Sequence, residues 1–322
     1  MIMGRLLQET MREKLRPLRR RIKARLHGKI LGKPRTRTKD FSVAVPFEFS
    51  FEHIAPAKPI AVVCHHYHID LAEEIYAEIS NIAVAADLFI STDTEEKAAI
   101  LRKTFSAWRG GRVDVRVVLN RGRDIASKYV AFRDVYDRYE LVFFIHTKKT
   151  EQPALGEAWR RHLIKTLTSS HEIVSSVLWM FTRDERLGVV FPQHFPAIRH
   201  LVSWCDEYPL AQGVAQRMGI ELHPDQVIDF ASGSMFWARS AALRPVLDLG
   251  LTMEDFPEEA GQIGNTITHT LERLLLHVCE KAGYRWLKIS NLEYCDAPEM
   301  VVAIKTPEDF DRFESEHGVQ LL

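Results

Sequence analysis

Four polar clusters in this sequence sit where chemistry is possible, because each one ends an apolar run. His65, His66, Tyr67 and His68 follow Ile60–Cys64, and Asp93 follows the run 87–92. Arg121, Arg123 and Asp124 come after the run 113–120, and His146, Thr147, Lys148 and Lys149 stop "LVFFI" at Ile145. Arginine grips phosphate oxygens as a fork and lysine supplies a compact charge, so the collection suits a multiply charged anion such as a diphosphate. Three histidines within four residues could also ligate a transition metal. No second cluster accompanies them, however, and a strand would alternate their faces, so no metal is assigned there.

These side chains converge only if the apolar runs share one sheet. Leu141–Ile145 has the length and composition of a strand buried on both faces. Between the runs lie amphipathic stretches. Leu71, Ile75, Ile79 and Ile82 share a helical face, Asp93 or Thr94 can cap a helix reaching about Arg109, and Ile125, Tyr129, Phe132 and Tyr136 mark another. Strand-helix steps in series predict right-handed crossovers and a largely parallel sheet, with all four clusters on its carboxyl edge, where open α/β sheets bind ligands.

Further along, Glu157–Phe181 reads as helix with a break at "TSSHE", Leu187–Pro192 as a strand and Tyr208–Gly219 as a helix. Within 227–243 a strand-like pair is joined by "ASGS", whose small residues permit close approach of a ligand. The acidic loop "DFPEEAGQIGN" leads into a helix from about Thr266 to Ala282, then a late strand "YRWLKIS" and a C-terminal helix capped by Thr306.

The charges cancel overall, 43 basic against 43 acidic, but residues 1–40 hold 14 Lys and Arg against 3 Asp and Glu, leaving 29 against 40 for residues 41–322. Met3, Leu7, Met11, Leu15, Leu18, Ile22 and Leu26 form one helical stripe within that basic arm, the profile of a helix lying in a membrane interface. Residues 33–40 read as a linker. No aromatic residue interleaves the arginines, which disfavours nucleic acid as the partner. Four dispersed cysteines without a C-x-x-C pair argue against a zinc ribbon or disulfide framework, and no run of about 18 apolar residues reads as a membrane span. The expected organisation is an arm over 1–40 and one α/β domain over 41–322.

The segments "VVLNRGRDIASKYVAFRDVYDRYELVFFIHTKKT", "DFASGSMFWARSAAL" and "FPEEAGQIGNTITHTLERLL", in that order, resemble the rhamnan-synthesis protein F family of bacterial surface-polysaccharide assembly. That resemblance, over about Ile60–Tyr284, implies a GT-A-like fold, a Rossmann-type, mostly parallel sheet flanked by helices. It also implies an inverting glycosyltransferase, of rhamnosyl type, taking dTDP-rhamnose or another nucleoside diphosphate sugar and a lipid-linked or surface glycan acceptor. By the same comparison Asn120, Arg121, Arg123 and Asp124 fall beside the nucleotide, with Tyr67 or His66 against its base and Asp93 nearby. His146, Thr147 and Lys148 stand where such enzymes carry a metal-holding Asp-x-Asp. Lys148 and Lys149 are therefore expected to replace a divalent metal.

For the base the resemblance implies Glu259 first, Glu258 next and Asp229 third. Ser234 and His269 are expected on the sugar and acceptor side, with Trp237 either a sugar-stacking wall there or a core aromatic. Gly264 and Asn265 depart from the family pattern, which has an acidic residue followed by glycine there. The expected location is peripheral, on the cytoplasmic face of the membrane that carries the acceptor. Two alternatives stand beside this reading: a non-catalytic, membrane-recruited module of the same fold, and nucleic-acid binding through the arm.

Overall fold

A computed structural model describes residues 33–34, 40–52, 56, 58–147, 149, 153–204, 206–224, 226–259, 264–295, 297–318 and 320–322. The amphipathic stripe and Lys148 lie outside the described residues.

Among the described residues nine strands form one sheet: β1 (Ser42–Val45), β2 (Ile60–His65), β3 (Ala86–Thr92), β4 (Val113–Val117), β5 (Leu141–His146), β6 (Leu187–Pro192), β7 (Phe236–Arg239), β8 (Arg285–Asn291) and β9 (Val301–Val302). Their spatial order is β9-β1-β8-β6-β7-β5-β2-β3-β4. Every pairing is parallel except those of β7, which runs antiparallel between β5 and β6. The strands predicted from β2 to β5 occur in the expected sequence. β1 was not anticipated, because "SVAV" is too short to stand out.

The runs are apolar on both faces because two cores need them. In β5, Val142 and Phe144 pack into one core and Leu141, Phe143 and Ile145 into the other. In β2, Ala61 and Val63 face the first core and Ile60, Val62 and Cys64 the second. Burying a phenylalanine such as Phe143 contributes roughly 2–3 kcal/mol, so a one-residue slip would exchange both faces at a large cost.

Helices cover each face. α1 (Ala72–Ile79) and α2 (Glu95–Thr104) follow β2 and β3. Thr94 caps α2 by accepting from the Lys97 N–H, resolving the choice between Asp93 and Thr94. After β4, α3 (Arg123–Ala126) widens into a π-turn over Ser127–Ala131. The helix expected after Glu157 is α4 (Pro153–Thr168) and α5 (His171–Arg183), separated where Ser170 caps α5. α6 (Tyr208–Arg217), α7 (Ile267–Lys281) and α8 (Pro307–His317) complete the layers, α8 with the capping box of Thr306 and Asp309. No helix among the described residues is long and apolar enough to cross a membrane.

Residues 33–40 do not all behave as linker. Lys33–Pro34 pairs with Val227–Ile228, and Asp40 is buried in the domain, where it accepts from Lys288 and Arg199.

Candidate active site

Because β7 is reversed, its amino end lies at the same edge as the carboxyl ends of β5 and β6. The turn over residues 231–235 therefore meets the polar clusters that end β2 and β5. Between them opens a cavity of about 600 Å³, bounded also by the loop after β4 and the start of α7. A larger groove of about 1350 Å³ lies at the opposite edge, where Ile60 and Leu141 begin their strands and Arg239 ends β7. The smaller one gathers the predicted chemistry.

Thr147 locks the rim in place. Its hydroxyl accepts from the backbone N–H groups of Tyr67 and His68, both at 3.0 Å, joining the end of β5 to the loop after β2. Tyr67 stands at the mouth, with the Lys97 ammonium 4.3 Å above its ring. Beneath it His65 is half-buried, and desolvation pushes its imidazole down to about 4. A neutral His65 at Ser91, 2.9 Å away, is a fixed polar wall.

The loop after β4 supplies the arginines. Gly122 adopts φ +62°, and a Cβ there would come within 2.4 Å of Phe256. Only glycine brings this loop against residues 256–259. Arg123 then donates from Nε and Nη2 to the two carboxylate oxygens of Glu259, both at 2.9 Å, while Arg121 donates to Glu258 at 2.7 Å. The acidic residues of this loop are thus partly neutralised, and Asp255 accepts from Thr252 in a capping box.

Deeper in, Lys128 projects from the π-turn to Ser234, 2.7 Å from its hydroxyl and 3.0 Å from its carbonyl, with Asp124 at 3.4 Å. Burial lowers the Lys128 ammonium from its ordinary value, and Asp124 opposes that shift. His146 donates from Nε2 to the Gly233 carbonyl at 2.8 Å. Gly233, at φ +90°, donates to Glu272 at 3.0 Å. The small-residue turn is therefore held from α3, β5 and α7 together.

Tyr67, Asn120, Arg123, Asp124, His146, Lys149, Ser234, Glu259 and His269 all line this cavity. Lys149 pairs with Asp70 at the rim. Arg121 and Glu258 bridge just outside it, and Asp93 is turned to Lys97 at 2.6 Å.

Three expectations are corrected. His66 is buried against Phe105 on the far side of the strand end, with neither ring nitrogen hydrogen-bonded, so it cannot reach a nucleotide base. Strand alternation separates it from His65. Trp237 is fully buried and stacks on Phe143, 4.5 Å between centroids, so it is a core residue and not a sugar platform. Asp229 is fully buried between Lys288 at 2.9 Å and His194 at 2.7 Å, which leaves it no access to an acceptor.

Thr147 and Glu272, both within motifs read from the sequence, line the cavity too, whereas the sequence reading missed Ser232 and Arg273 as lining residues. Glu272 had a signal, three residues after His269 on one helical face. Ser232 had only its place in "ASGS".

The family model described as "Rhamnan synthesis protein F" matches residues 40–284, beginning at the buried Asp40. Proteins called "Uncharacterized protein WxcX" from Xanthomonas campestris pv. campestris, strains B100 and ATCC 33913, are each 32% identical over 226 residues. Those matches cover 70% of this chain and 32% of each relative, so the chain spans about a third of the length of the curated relatives it matches. On the strength of a match running through every strand from β1 to the amino side of β8, the chain belongs to the rhamnan synthesis protein F family.

Proposed function

We propose that the chain is a GT-A-like glycosyltransferase, an inverting rhamnosyltransferase that moves a sugar from a nucleoside diphosphate donor such as dTDP-rhamnose to a lipid-linked or surface glycan. The observation that carries this reading is the cavity at the carboxyl edge of parallel strands, lined by Tyr67, Asn120, Arg123 and Lys149 and also by the Ser232–Ser234 turn and His269. The first group suits a base and a diphosphate, the second a sugar and its acceptor.

Three rim cations among the described residues hold a carboxylate of the protein: Arg121 with Glu258, Arg123 with Glu259, Lys149 with Asp70. Exposed pairs contribute only about 0.2–1 kcal/mol, and the Glu258 side chain is 83% exposed. A diphosphate offers the same cations more charge and a bidentate fit, so exchange is favourable. The carboxylates act as placeholders. Glu259 can serve as the base once Arg123 has turned to the diphosphate.

Among the described residues no three His, Cys, Asp or Glu side chains group as a metal-ligand set. Lys149, with Lys148 beside it in sequence, supplies positive charge where related chemistry uses an ion. We place the enzyme peripherally on the cytoplasmic face, where its lipid-anchored acceptor resides.

Calorimetric titration with dTDP, UDP and GDP tests the reading. At least one binds, EDTA leaves the affinity unchanged, and Arg123→Ala weakens it by about 10- to 100-fold, the value of a charged hydrogen-bonded fork. If none of the three binds the wild-type protein, the reading is wrong.

A further inference from the structure

The cavity also contains a hydroxyl backed by a buried chain of proton carriers. Ser232 lines the cavity, and its Oγ lies 2.8 Å from His194 Nδ1. His194 Nε2 lies 2.7 Å from Asp229 Oδ1, and Asp229 Oδ2 accepts from Lys288 Nζ at 2.9 Å. His194, Asp229 and Lys288 are all buried.

The chemistry of the partners fixes the direction. A carboxylate beside a buried ammonium is an acceptor, so His194 carries its proton on Nε2. The Nδ1 of a neutral ring is then the acceptor, and Ser232 donates to it. This is the Ser-His-Asp order of a charge-stabilised base, with the ring turned so that the acid holds Nε2. The neighbouring amides decide what such a base can do. Gly233 N–H is taken by Glu272 and Ser234 N–H by the Ala231 carbonyl at 2.8 Å. Neither can stabilise an oxyanion beside Ser232, so the relay suits proton transfer and not acyl transfer.

We infer that Ser232, through His194 and Asp229, removes the proton of the attacking acceptor hydroxyl, an inference that rests on the glycosyl-transfer reading above. The acceptor oxygen bonds to the anomeric carbon as the carbon-oxygen bond to the diphosphate breaks, and that electron pair leaves on the diphosphate. The acceptor proton passes to Ser232 Oγ while the serine proton passes to His194 Nδ1. The imidazolium formed is held by Asp229 and loses its proton to solvent by the same route after product leaves. Unlike Glu259, this base needs no release from Arg123.

Two measurements test it. In the first, turnover of nucleoside diphosphate rhamnose with water as acceptor is compared in the wild type and His194→Gln. His194→Gln turns over about a hundredfold more slowly with nucleotide affinity within twofold of wild type. Equal turnover in the two proteins overturns the relay.

In the second, hydrolysis of dTDP-, UDP- and GDP-rhamnose is followed, with water as acceptor, beside binding of the free nucleotides. Ser232→Ala lowers turnover about a hundredfold, the usual worth of a general base, with nucleotide affinity within twofold of wild type. Ser232→Thr, which keeps a hydroxyl, restores most of it. Wild-type turnover in Ser232→Ala together with loss in Glu259→Gln gives the base to Glu259 and ends this inference while the transferase reading stands. Absence of nucleotide binding in the wild type removes both.

Discussion

Arg123 and Lys288 are both basic residues paired with carboxylates, and their surroundings give the pairs opposite meanings. The Arg123–Glu259 fork borders the cavity and is partly exposed, so water or phosphate can replace either partner at little cost. Lys288 is 1% exposed and lies between Asp40 at 2.5 Å and Asp229 at 2.9 Å, and Asp40 also holds Arg199, so removing Asp229 leaves two buried cations on one carboxylate. Glu259→Gln is therefore expected to change unfolding free energy by less than about 1 kcal/mol, and Asp229→Ala to cost about 3–5 kcal/mol; urea titration of both variants distinguishes a site residue from a framework residue. His66 gives a third case. Its ring is buried without hydrogen bonds and burial pushes its pKa down to about 3, against 6.5 for the free side chain. Between those values the unfolded chain takes up a proton that the folded one refuses, so the folded state loses stability as pH falls from about 6.5 and the loss levels off only near 3. Between pH 7 and pH 5 the single group accounts for roughly 2 kcal/mol. His66→Leu should remove that increment, stabilising the protein more at pH 5 than at pH 7; equal effects at the two pH values would show that His66 does not titrate this way.

At the level of elements, the site depends on loops that are held by contact with one another. Gly122 is the clearest point, because its positive φ and its approach to Phe256 both exclude a side chain. Gly122→Ala is expected to cost at least about 1 kcal/mol for the left-handed backbone alone, and more as Phe256 is pushed away. Because that shift displaces Arg123 from the cavity rim, nucleotide affinity should fall along with the melting temperature; a melting change with unaltered affinity would mean that the loop does not position Arg123. β2, β3, β5 and β6 were legible because a strand buried on both faces has few sequences open to it, and "LVFFI" and "LGVVFP" are among them. The reversal of β7 was not legible. Which neighbours "FWAR" pairs with is set by Phe143 and Val190 on distant strands, not by its own residues. The carboxyl-edge clusters were visible for the same reason as the strands, since polarity ending an apolar run marks the sheet's edge. His65 and His66 show the limit, for adjacent residues went to opposite faces and only one reached the cavity. The relay of Ser232, His194, Asp229 and Lys288 spans nearly a hundred residues of sequence, and its one local sign is a lysine inside the apolar "YRWLKIS".

Across the whole molecule, charge is divided in a way that the neutral total conceals. Residues 1–40 carry a net of about eleven positive charges and residues 41–322 a matching excess of negative ones. An acidic body is repelled by an anionic bilayer, so any attraction to one has to come from the arm, whose arginines flank the stripe from Met3 to Leu26. Basic residues near an anionic surface contribute about 1 kcal/mol each at physiological ionic strength, enough for reversible attachment when several act with the stripe. The predicted behaviour is specific. The full chain should float with phosphatidylglycerol-containing vesicles, remain behind with pure phosphatidylcholine, and detach in 0.5 M salt as screening shortens to a few ångströms. A chain lacking residues 1–32 should bind neither vesicle while retaining the wild-type affinity for nucleoside diphosphate, since the described residues that line the cavity all lie beyond the arm. Equal flotation of the truncated chain would place the membrane contact on the body. Flotation of neither would leave the basic arm to another anionic partner, and a steep salt dependence of DNA binding would then identify nucleic acid as that partner.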